Sequence, residues 1–229
     1  MSPPPLRAVF LDLDDTLLDT AGILLEPARL EAGAAMVAKG LSGTAEEAAR
    51  DLARLARERP GEEPFALLAE ERGVDPVRVG LAGWGAFHRR AVPESLPLLD
   101  GVRETLGELR RRGVRLLLVT FGDPPTQEAK IRATGAGELV DRVVYEPLGP
   151  RADKGRAFRE LLAAEGLEGA ACLAVGDRPD GEIAAGRRNG MRTVRIRRGE
   201  HEALDPRGPE EDADHTVATF REAAAILLA

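Results

Sequence analysis

Short apolar runs that do not alternate with polar residues recur along the chain, and they restrict its fold more than any other feature. A strand with one face in water alternates apolar and polar residues, so these runs indicate strands buried on both faces. Helix-like segments separate the runs, which favours parallel strands joined by crossover helices. The sequence therefore predicts an α/β fold with a parallel sheet. The predicted strands are residues 7–11, 114–119, 143–145, 170–175 and 193–196.

The stretch from residue 20 to residue 93 interrupts this alternation with one helical pattern after another. Thr44 and Glu47 have the spacing of a capping box, which marks the start of one of these helices. The sequence therefore predicts a helical domain at 20–93, inserted after the first strand of a core made of 1–19 and 94–229. The predicted helices of the insertion are residues 27–39, 44–58, 64–71 and 76–91.

The composition excludes several classes of protein. A formal net charge of −7 argues against a nucleic-acid-binding protein. No apolar stretch approaches the roughly 18 residues of a membrane helix, so we expect no membrane partner. The single cysteine, Cys172, rules out an internal disulfide and favours a reducing compartment. The N-terminal residues lack the pattern of a secretory signal, so the sequence predicts a cytoplasmic protein.

Acidic residues follow the first predicted strand directly, in the sequence Asp12-Leu13-Asp14-Asp15-Thr16. Residues two apart in extended chain point the same way, so Asp12 and Asp14 are expected to face one site. Parallel sheets bind ligands beyond the carboxyl ends of their strands, where this pair falls. Two adjacent carboxylates need a cation, most simply Mg²⁺. A carboxylate beside Mg²⁺ can attack phosphorus while its neighbour transfers protons.

Two further strand ends carry candidate phosphate ligands. Thr120, Phe121 and Gly122 close the second predicted strand, where a hydroxyl and backbone N–H groups are able to bind phosphate oxygens. Lys154 opens a later helix, and its ammonium group would offset the charge of nucleophile and phosphate. Lys130 is the alternative lysine, but its position in the middle of a helix predicts a solvated face.

A second acidic pair follows the fourth predicted strand. Asp177 comes directly after the apolar run, and Glu182 begins the next predicted helix. These two acids would complete the oxygen shell of a divalent ion, directly or through water. Arg178 flanks the same position and is a candidate substrate contact.

In these motifs the chain resembles the haloacid dehalogenase superfamily of hydrolases, over nearly its whole length. Residues 12–16 match the first family motif, DxDxT, Thr120 matches the second and Lys154 the third. The segment from Gly176 to Glu182 matches the fourth, with Glu182 where many relatives have Asp. The helical insertion is similar to the cap of the type I subgroup, which implies a Rossmann-like core with a helical cap.

The resemblance also implies a role for each matched residue. Asp12 would be the nucleophile and Asp14 the general acid/base, while Thr120 and Lys154 would stabilise the phosphate and the intermediate. Mg²⁺ would bind Asp12, the backbone carbonyl of Asp14 and Asp177, with Glu182 nearby. True dehalogenases of the superfamily lack the second acid, so Asp14 favours phosphoryl transfer over dehalogenation.

The predicted function is a Mg²⁺-dependent phosphatase that hydrolyses a small phosphorylated metabolite through an aspartyl-phosphate intermediate. A phosphomutase shares both acids and stays open as an alternative. A dehalogenase and a non-catalytic phospho-acceptor, such as a receiver domain, are less favoured, because a receiver domain carries its acceptor on a middle strand and has no helical insertion. The partner is expected to be a small-molecule phosphate ester, and the protein a monomer or a homodimer.

Overall fold

The computed structural model describes residues 4–59, 62–146 and 153–229, and its central element is a parallel sheet of six strands. The strand order is β3-β2-β1-β4-β5-β6, and every neighbouring pair is parallel. This arrangement confirms the predicted α/β, Rossmann-like fold class. The strands are β1 (Ala8–Leu11), β2 (Arg115–Phe121), β3 (Arg142–Glu146), β4 (Cys172–Gly176), β5 (Arg192–Ile196) and β6 (His215–Val217).

The strand order reverses between β1 and β4, which are neighbours in the sheet. Strands β2 and β3 lie on one side of this pair, and β5 and β6 lie on the other. All four residues of β1 are fully buried, because the strand has neighbours on both sides and the core packs against its faces. Ligands of open parallel sheets bind at such a switch point, beyond the carboxyl ends of the strands. The fold therefore predicts a ligand site among the residues that follow β1, β2 and β4.

The described residues fall into two compact units, divided after Asp19 and before Pro93. The unit between these points is all helical, and its own apolar core includes Met36, Leu52 and Phe65. The Thr44 hydroxyl accepts the N–H of Glu47 at 3.2 Å, and the Glu47 carboxylate accepts the N–H of Thr44 at 2.9 Å, which confirms the capping box. The helices are α1 (Thr20–Ile23), α2 (Leu25–Ala38), α3 (Ala45–Glu58), α4 (Pro64–Glu71) and α5 (Pro76–His88).

The other unit contains the sheet and the remaining helices. They are α6 (Val102–Arg111), α7 (Pro124–Thr134), α8 (Lys154–Glu165), α9 (Ala184–Arg188) and α10 (Phe220–Leu227). Phe10 of β1 packs on Phe158 of α8, with 4.9 Å between ring centroids, so β1 and α8 share one hydrophobic cluster. None of the helices in the described ranges combines the length and the apolarity that a membrane crossing requires.

The segment after β4 differs from its prediction. We expected a regular helix to begin at Glu182, but the chain first makes a π-helical turn, Pro179–Ile183, and only then enters α9. Pro179 cannot donate a backbone hydrogen bond, which suits it to the first position of such a turn. The widened turn places Glu182 on its inner, buried side. Turns of this kind occur frequently at functional sites.

Cys172 begins β4 and is fully buried, and burial raises the pKa of its thiol to about 11. The thiolate is the reactive form of cysteine, so the folded protein is expected to resist iodoacetamide at about pH 8. Mass spectrometry should detect alkylation only after guanidinium unfolds the chain. Equal alkylation rates in the native and unfolded protein would contradict this expectation.

Candidate active site

Asp12, Thr120 and Asp177 lie on neighbouring strands at one edge of the sheet. Asp12 follows the last residue of β1, Thr120 is the penultimate residue of β2, and Asp177 follows the last residue of β4. The N–H of Asp12 donates to the carbonyl of Val175 at 3.1 Å, so the sheet bonding continues to the point where the carboxylate begins. All three side chains belong to buried residues. The parallel register therefore brings together residues that are far apart in sequence.

Lys154 is buried against two carboxylates. Its Nζ donates to Oδ1 of Asp12 at 2.6 Å and also contacts Oε1 of Glu182. The side chain is only 3% exposed, and the ammonium lies 4.9 Å from the ring centroid of Phe121. The Asp153 carboxylate accepts the N–H of Gly155 at 2.9 Å, which caps α8 and fixes the position of its first residue, Lys154.

The buried charged groups around Lys154 shift one another's pKa values. Burial raises the pKa of Asp12 well above its ordinary value, Lys154 opposes this, and Glu182, Asp177 and Asp14 raise it further. For Lys154 burial lowers the pKa, but the carboxylates of Asp12 and Glu182 prevail and raise it. For Glu182 burial raises the pKa, but Lys154 prevails and lowers it. Lys154 and Glu182 therefore favour each other's charged forms, while burial and the neighbouring carboxylates disfavour the ionised form of Asp12.

Asp14 is held by two side chains of α7. Its Oδ1 accepts from Lys130 Nζ at 2.8 Å, and its Oδ2 accepts from the Gln127 amide at 2.7 Å. The same amide nitrogen lies 2.6 Å from Thr120 Oγ1 and 2.7 Å from the carbonyl oxygen of Phe121. Gln127 thus connects the end of β2 to the loop after β1.

The prediction of a solvated Lys130 is wrong. Its side chain is only 7% exposed, and the ammonium pairs with Asp14. Helical spacing places Lys130 on the face of α7 that also carries Gln127 and Ile131, and this face is buried. Sequence reasoning overlooked the face because most of its residues are polar, so no apolar stripe marks it. The spacing of Gln127 and Lys130, one helical turn apart, is the signal that was available.

In the predicted phosphate-binding loop after β2, one backbone N–H group is already hydrogen-bonded within the protein. Gly122 has φ +150°, and a Cβ there would lie 2.7 Å from Cγ of Gln127, so glycine is required. Its N–H donates to the carbonyl of Glu146 at 3.1 Å, which directs this group into the sheet rather than toward a ligand. The Thr120 hydroxyl lies beside the Gln127 amide, and the Phe121 ring lies beside the Lys154 ammonium.

Polar groups of Arg178, Asp180 and Glu182 bind one another within the turn after β4. Oε2 of Glu182 accepts the N–H of Arg178 at 3.1 Å, while Oε1 contacts Lys154. The Arg178 guanidinium pairs with Asp180 through contacts of 3.1 and 3.2 Å. Arg178, a candidate substrate contact, therefore has a carboxylate partner within its own turn. Gly176 is needed here because a Cβ would overlap the Glu182 side chain.

Asp177 has a partner that sequence reasoning missed. Its Oδ2 lies 2.9 Å from Nδ1 of His201, in the loop after β5. Burial raises the pKa of Asp177, although the His201 ring and Arg178 act to lower it. His201 lies in a charged segment with no regular pattern, so no local signal pointed to this contact.

The donor set fits Mg²⁺ better than a metal that prefers nitrogen or sulfur. Asp12 and Asp177 supply buried carboxylates, which are hard oxygen donors. A divalent ion would also favour the ionised form of Asp12, against the burial and the carboxylates that raise its pKa. In the described ranges no three His, Cys, Asp or Glu side chains are grouped to ligate one ion. Mg²⁺ prefers oxygen donors and usually keeps several water ligands, so the two carboxylates would suit it.

Comparison with known proteins gives consistent matches. The model of the haloacid dehalogenase-like hydrolase family matches residues 6–190. A glyceraldehyde 3-phosphate phosphatase of Methanopyrus kandleri is 33% identical over 95% of each chain. A phosphoserine phosphatase of Thermus thermophilus is 29% identical, over 95% of this chain and 97% of its own. The crystal structure of a predicted phosphoglycolate phosphatase from Haemophilus somnus has the same fold, with a TM-score of 0.73, 18% identity and coverage of 96% of this chain and 97% of that one.

Proposed function

The chain belongs to the haloacid dehalogenase-like hydrolase family, as its motifs suggested, and we propose that it is a Mg²⁺-dependent phosphatase that works through a phosphorylated Asp12. It is a phosphoric monoester hydrolase, because that family and its phosphatase-named relatives indicate this reaction. We propose the helical unit at residues 20–92 as the cap domain. A cytoplasmic location and a monomeric or homodimeric state stay predictions.

The observation that carries the proposal is the buried contact between Lys154 Nζ and Asp12 Oδ1 at 2.6 Å. A nucleophilic carboxylate and a dianionic phosphate repel each other, so the reaction needs fixed positive charge at their meeting point. Lys154 supplies that charge, and Glu182 holds the ammonium from its other side. When bound by Asp12, Asp177 and the Asp14 carbonyl, Mg²⁺ would supply further charge neutralisation and orient the phosphate.

In the first step an oxygen of Asp12 forms a bond to phosphorus, and the bond from phosphorus to the ester oxygen breaks. Asp14 enters this step protonated and gives its proton to that leaving oxygen, so an alcohol departs. Thr120 and Lys154 bind phosphate oxygens during the transfer. The Asp14 side chain is 29% exposed, so it is in contact with solvent.

In the second step Asp14 takes a proton from water, and that water oxygen attacks the phosphorus of the Asp12 phosphate. The bond from phosphorus to Asp12 breaks, which releases inorganic phosphate and restores the carboxylate. Gln127 and Lys130 hold the Asp14 carboxylate from two sides, so we propose them as positioning residues for the acid/base.

The substrate class that the relatives favour is a small phosphate ester of an organic acid or aldehyde. Those relatives are named for glyceraldehyde 3-phosphate and phosphoserine, so these two esters lead the substrate panel. The same panel distinguishes a phosphatase from the alternative phosphomutase, because a mutase yields an isomeric phosphate ester without releasing inorganic phosphate.

We expect phosphate release from at least one ester of such a panel in the presence of Mg²⁺, and none after EDTA treatment until Mg²⁺ is restored. An Asp177→Asn variant should lose at least about 100-fold in activity at limiting Mg²⁺, because an amide is a weaker ligand than a carboxylate. The matched control is Asp205→Asn, since Asp205 is 76% exposed and pairs with Arg197 at 3.0 Å. Equal turnover with and without EDTA would refute the magnesium assignment.

A further inference from the structure

We propose that His201 is a positioning residue for the metal site: its ring holds the Asp177 carboxylate in the orientation that binds Mg²⁺. This inference rests on the proposed function, because it takes Asp177 to be a metal ligand. The observation behind it is the 2.9 Å contact between His201 Nδ1 and Asp177 Oδ2, which no motif of the sequence includes.

The chemistry of the two groups fixes the direction of this hydrogen bond. An ionised carboxylate only accepts, so Nδ1 must carry the proton and donate it. The bond uses one of the two Asp177 oxygens and stops rotation of the carboxylate, which leaves the other oxygen for a cation. A side chain that orients a ligand in this way typically changes metal affinity by about 10- to 100-fold when removed.

The His201 ring can do this only if its own backbone is fixed, and Arg195 fixes it. Arg195 belongs to β5, is 2% exposed, and extends its guanidinium under the loop. Its Nη2 donates to the carbonyls of His201 at 2.9 Å and Leu204 at 2.7 Å. Its Nε donates to the carbonyl of Asp177 itself at 3.1 Å. One buried side chain therefore anchors both residues of the His201–Asp177 pair.

The same loop is attached to the first motif on its other side. The N–H of Glu200 donates to Oδ2 of Asp15 at 3.3 Å. Gly199 approaches Asp15 so closely that a Cβ would lie 2.2 Å from Oδ2 of that carboxylate. The loop from Gly199 to Leu204 therefore contacts both the segment after β1 and the residue after β4. It is built into the metal site, although its sequence resembles a surface loop.

The test measures Mg²⁺ binding directly, by calorimetry on protein stripped with EDTA. His201→Ala should weaken Mg²⁺ binding by about tenfold or more. His201→Asn should retain binding within about threefold, because its amide nitrogen occupies a position close to that of Nδ1 and donates likewise. The turnover of His201→Ala should fall at limiting Mg²⁺, and a higher Mg²⁺ concentration should restore part of it. His215→Ala is the matched control, since His215 is an exposed residue of β6.

Asp177→Asn separates the two possible failures. If it loses Mg²⁺ binding while His201→Ala binds as tightly as the wild type, the positioning role is wrong and the proposed function stands. If Asp177→Asn binds Mg²⁺ like the wild type, the metal assignment itself is wrong. Equal weakening in His201→Ala and His201→Asn would also overturn the proposal, because general packing of the loop would then account for the effect. Should the alanine variant not fold, His201→Gln replaces it, since its amide reaches past the Nδ1 position.

Discussion

The Asp12→Asn variant is expected to release phosphate at least about 1,000-fold more slowly than the wild type while keeping its fold. An amide cannot act as the attacking carboxylate, so no covalent intermediate forms. The fold should survive because burial and the surrounding carboxylates raise the pKa of Asp12. A carboxyl whose pKa is raised in the folded state stabilises the fold below its ordinary pKa, and this contribution is lost as the pH rises. At neutral pH burial of the Asp12 carboxyl therefore destabilises the fold, and a neutral amide removes that destabilisation.

Single-turnover assays with a generic aryl phosphate, together with thermal unfolding, test this expectation. The melting temperature of Asp12→Asn should be close to that of the wild type. Asp100→Asn serves as the control, since Asp100 is a 78% exposed carboxylate that pairs with Arg221. Turnover of Asp12→Asn within a few-fold of the wild type would remove Asp12 from its role as the nucleophile, because the amide would then support the same reaction.

Replacing Lys154 by Met is expected to abolish turnover and to lower the free energy of unfolding by about 3 to 5 kcal/mol. The ammonium sits between two buried carboxylates, and its removal leaves Asp12 and Glu182 in a low-dielectric site without a cation. The double variant Lys154→Met with Glu182→Gln should recover part of the stability, because one of the two carboxylates becomes neutral. It should recover no activity, because the charge that faces the phosphate is still absent.

The coupling between Lys154 and Glu182 also has a defined pH dependence. Lys154 lowers the pKa of Glu182, so the pair contributes its full stability above the ordinary Glu pKa and loses it as the pH falls through the lowered value. On the alkaline side the Lys154 contribution lasts until the pH exceeds the ordinary Lys pKa, because its own pKa is raised. A double-mutant cycle in urea at several pH values measures this coupling. A coupling that does not weaken in acid would contradict the buried ion pair.

The fold and the central part of the candidate site were predictable because both depend on local pattern. An apolar run of four to six residues without alternation identifies a buried strand, and the residue after it must lie at the edge of the sheet. This reasoning alone brings Asp12, Thr120 and Asp177 together, as the structure does. Lys154 was found because a helix begins there, and its contact with Asp12 agrees with that placement.

The parts that sequence reasoning missed depend on contacts between distant segments. Lys130 was assigned to water because lysine usually lies there, but the buried face of α7 consists largely of polar residues that serve Asp14. In the π-helical turn at Glu182 each hydrogen bond spans one residue more than in the expected α-helix. The spacing of apolar and polar residues does not reveal this difference. His201 lies beside Asp177 in a loop whose carbonyls are held by Arg195, a residue of the buried interior.

The backbone of Asp15 has a consequence for anyone who redesigns this enzyme. Asp15 adopts φ +52°, and it is the one residue other than glycine with positive φ in the described parts of the chain. This conformation is costly for a residue with a Cβ, and it persists here with the carboxylate packed directly against Gly199. Loop grafting that seeks a new substrate preference should therefore treat residue 199 as a fixed attachment point of the scaffold. Libraries in this loop should leave Gly199 unchanged, because a side chain there would overlap the Asp15 carboxylate.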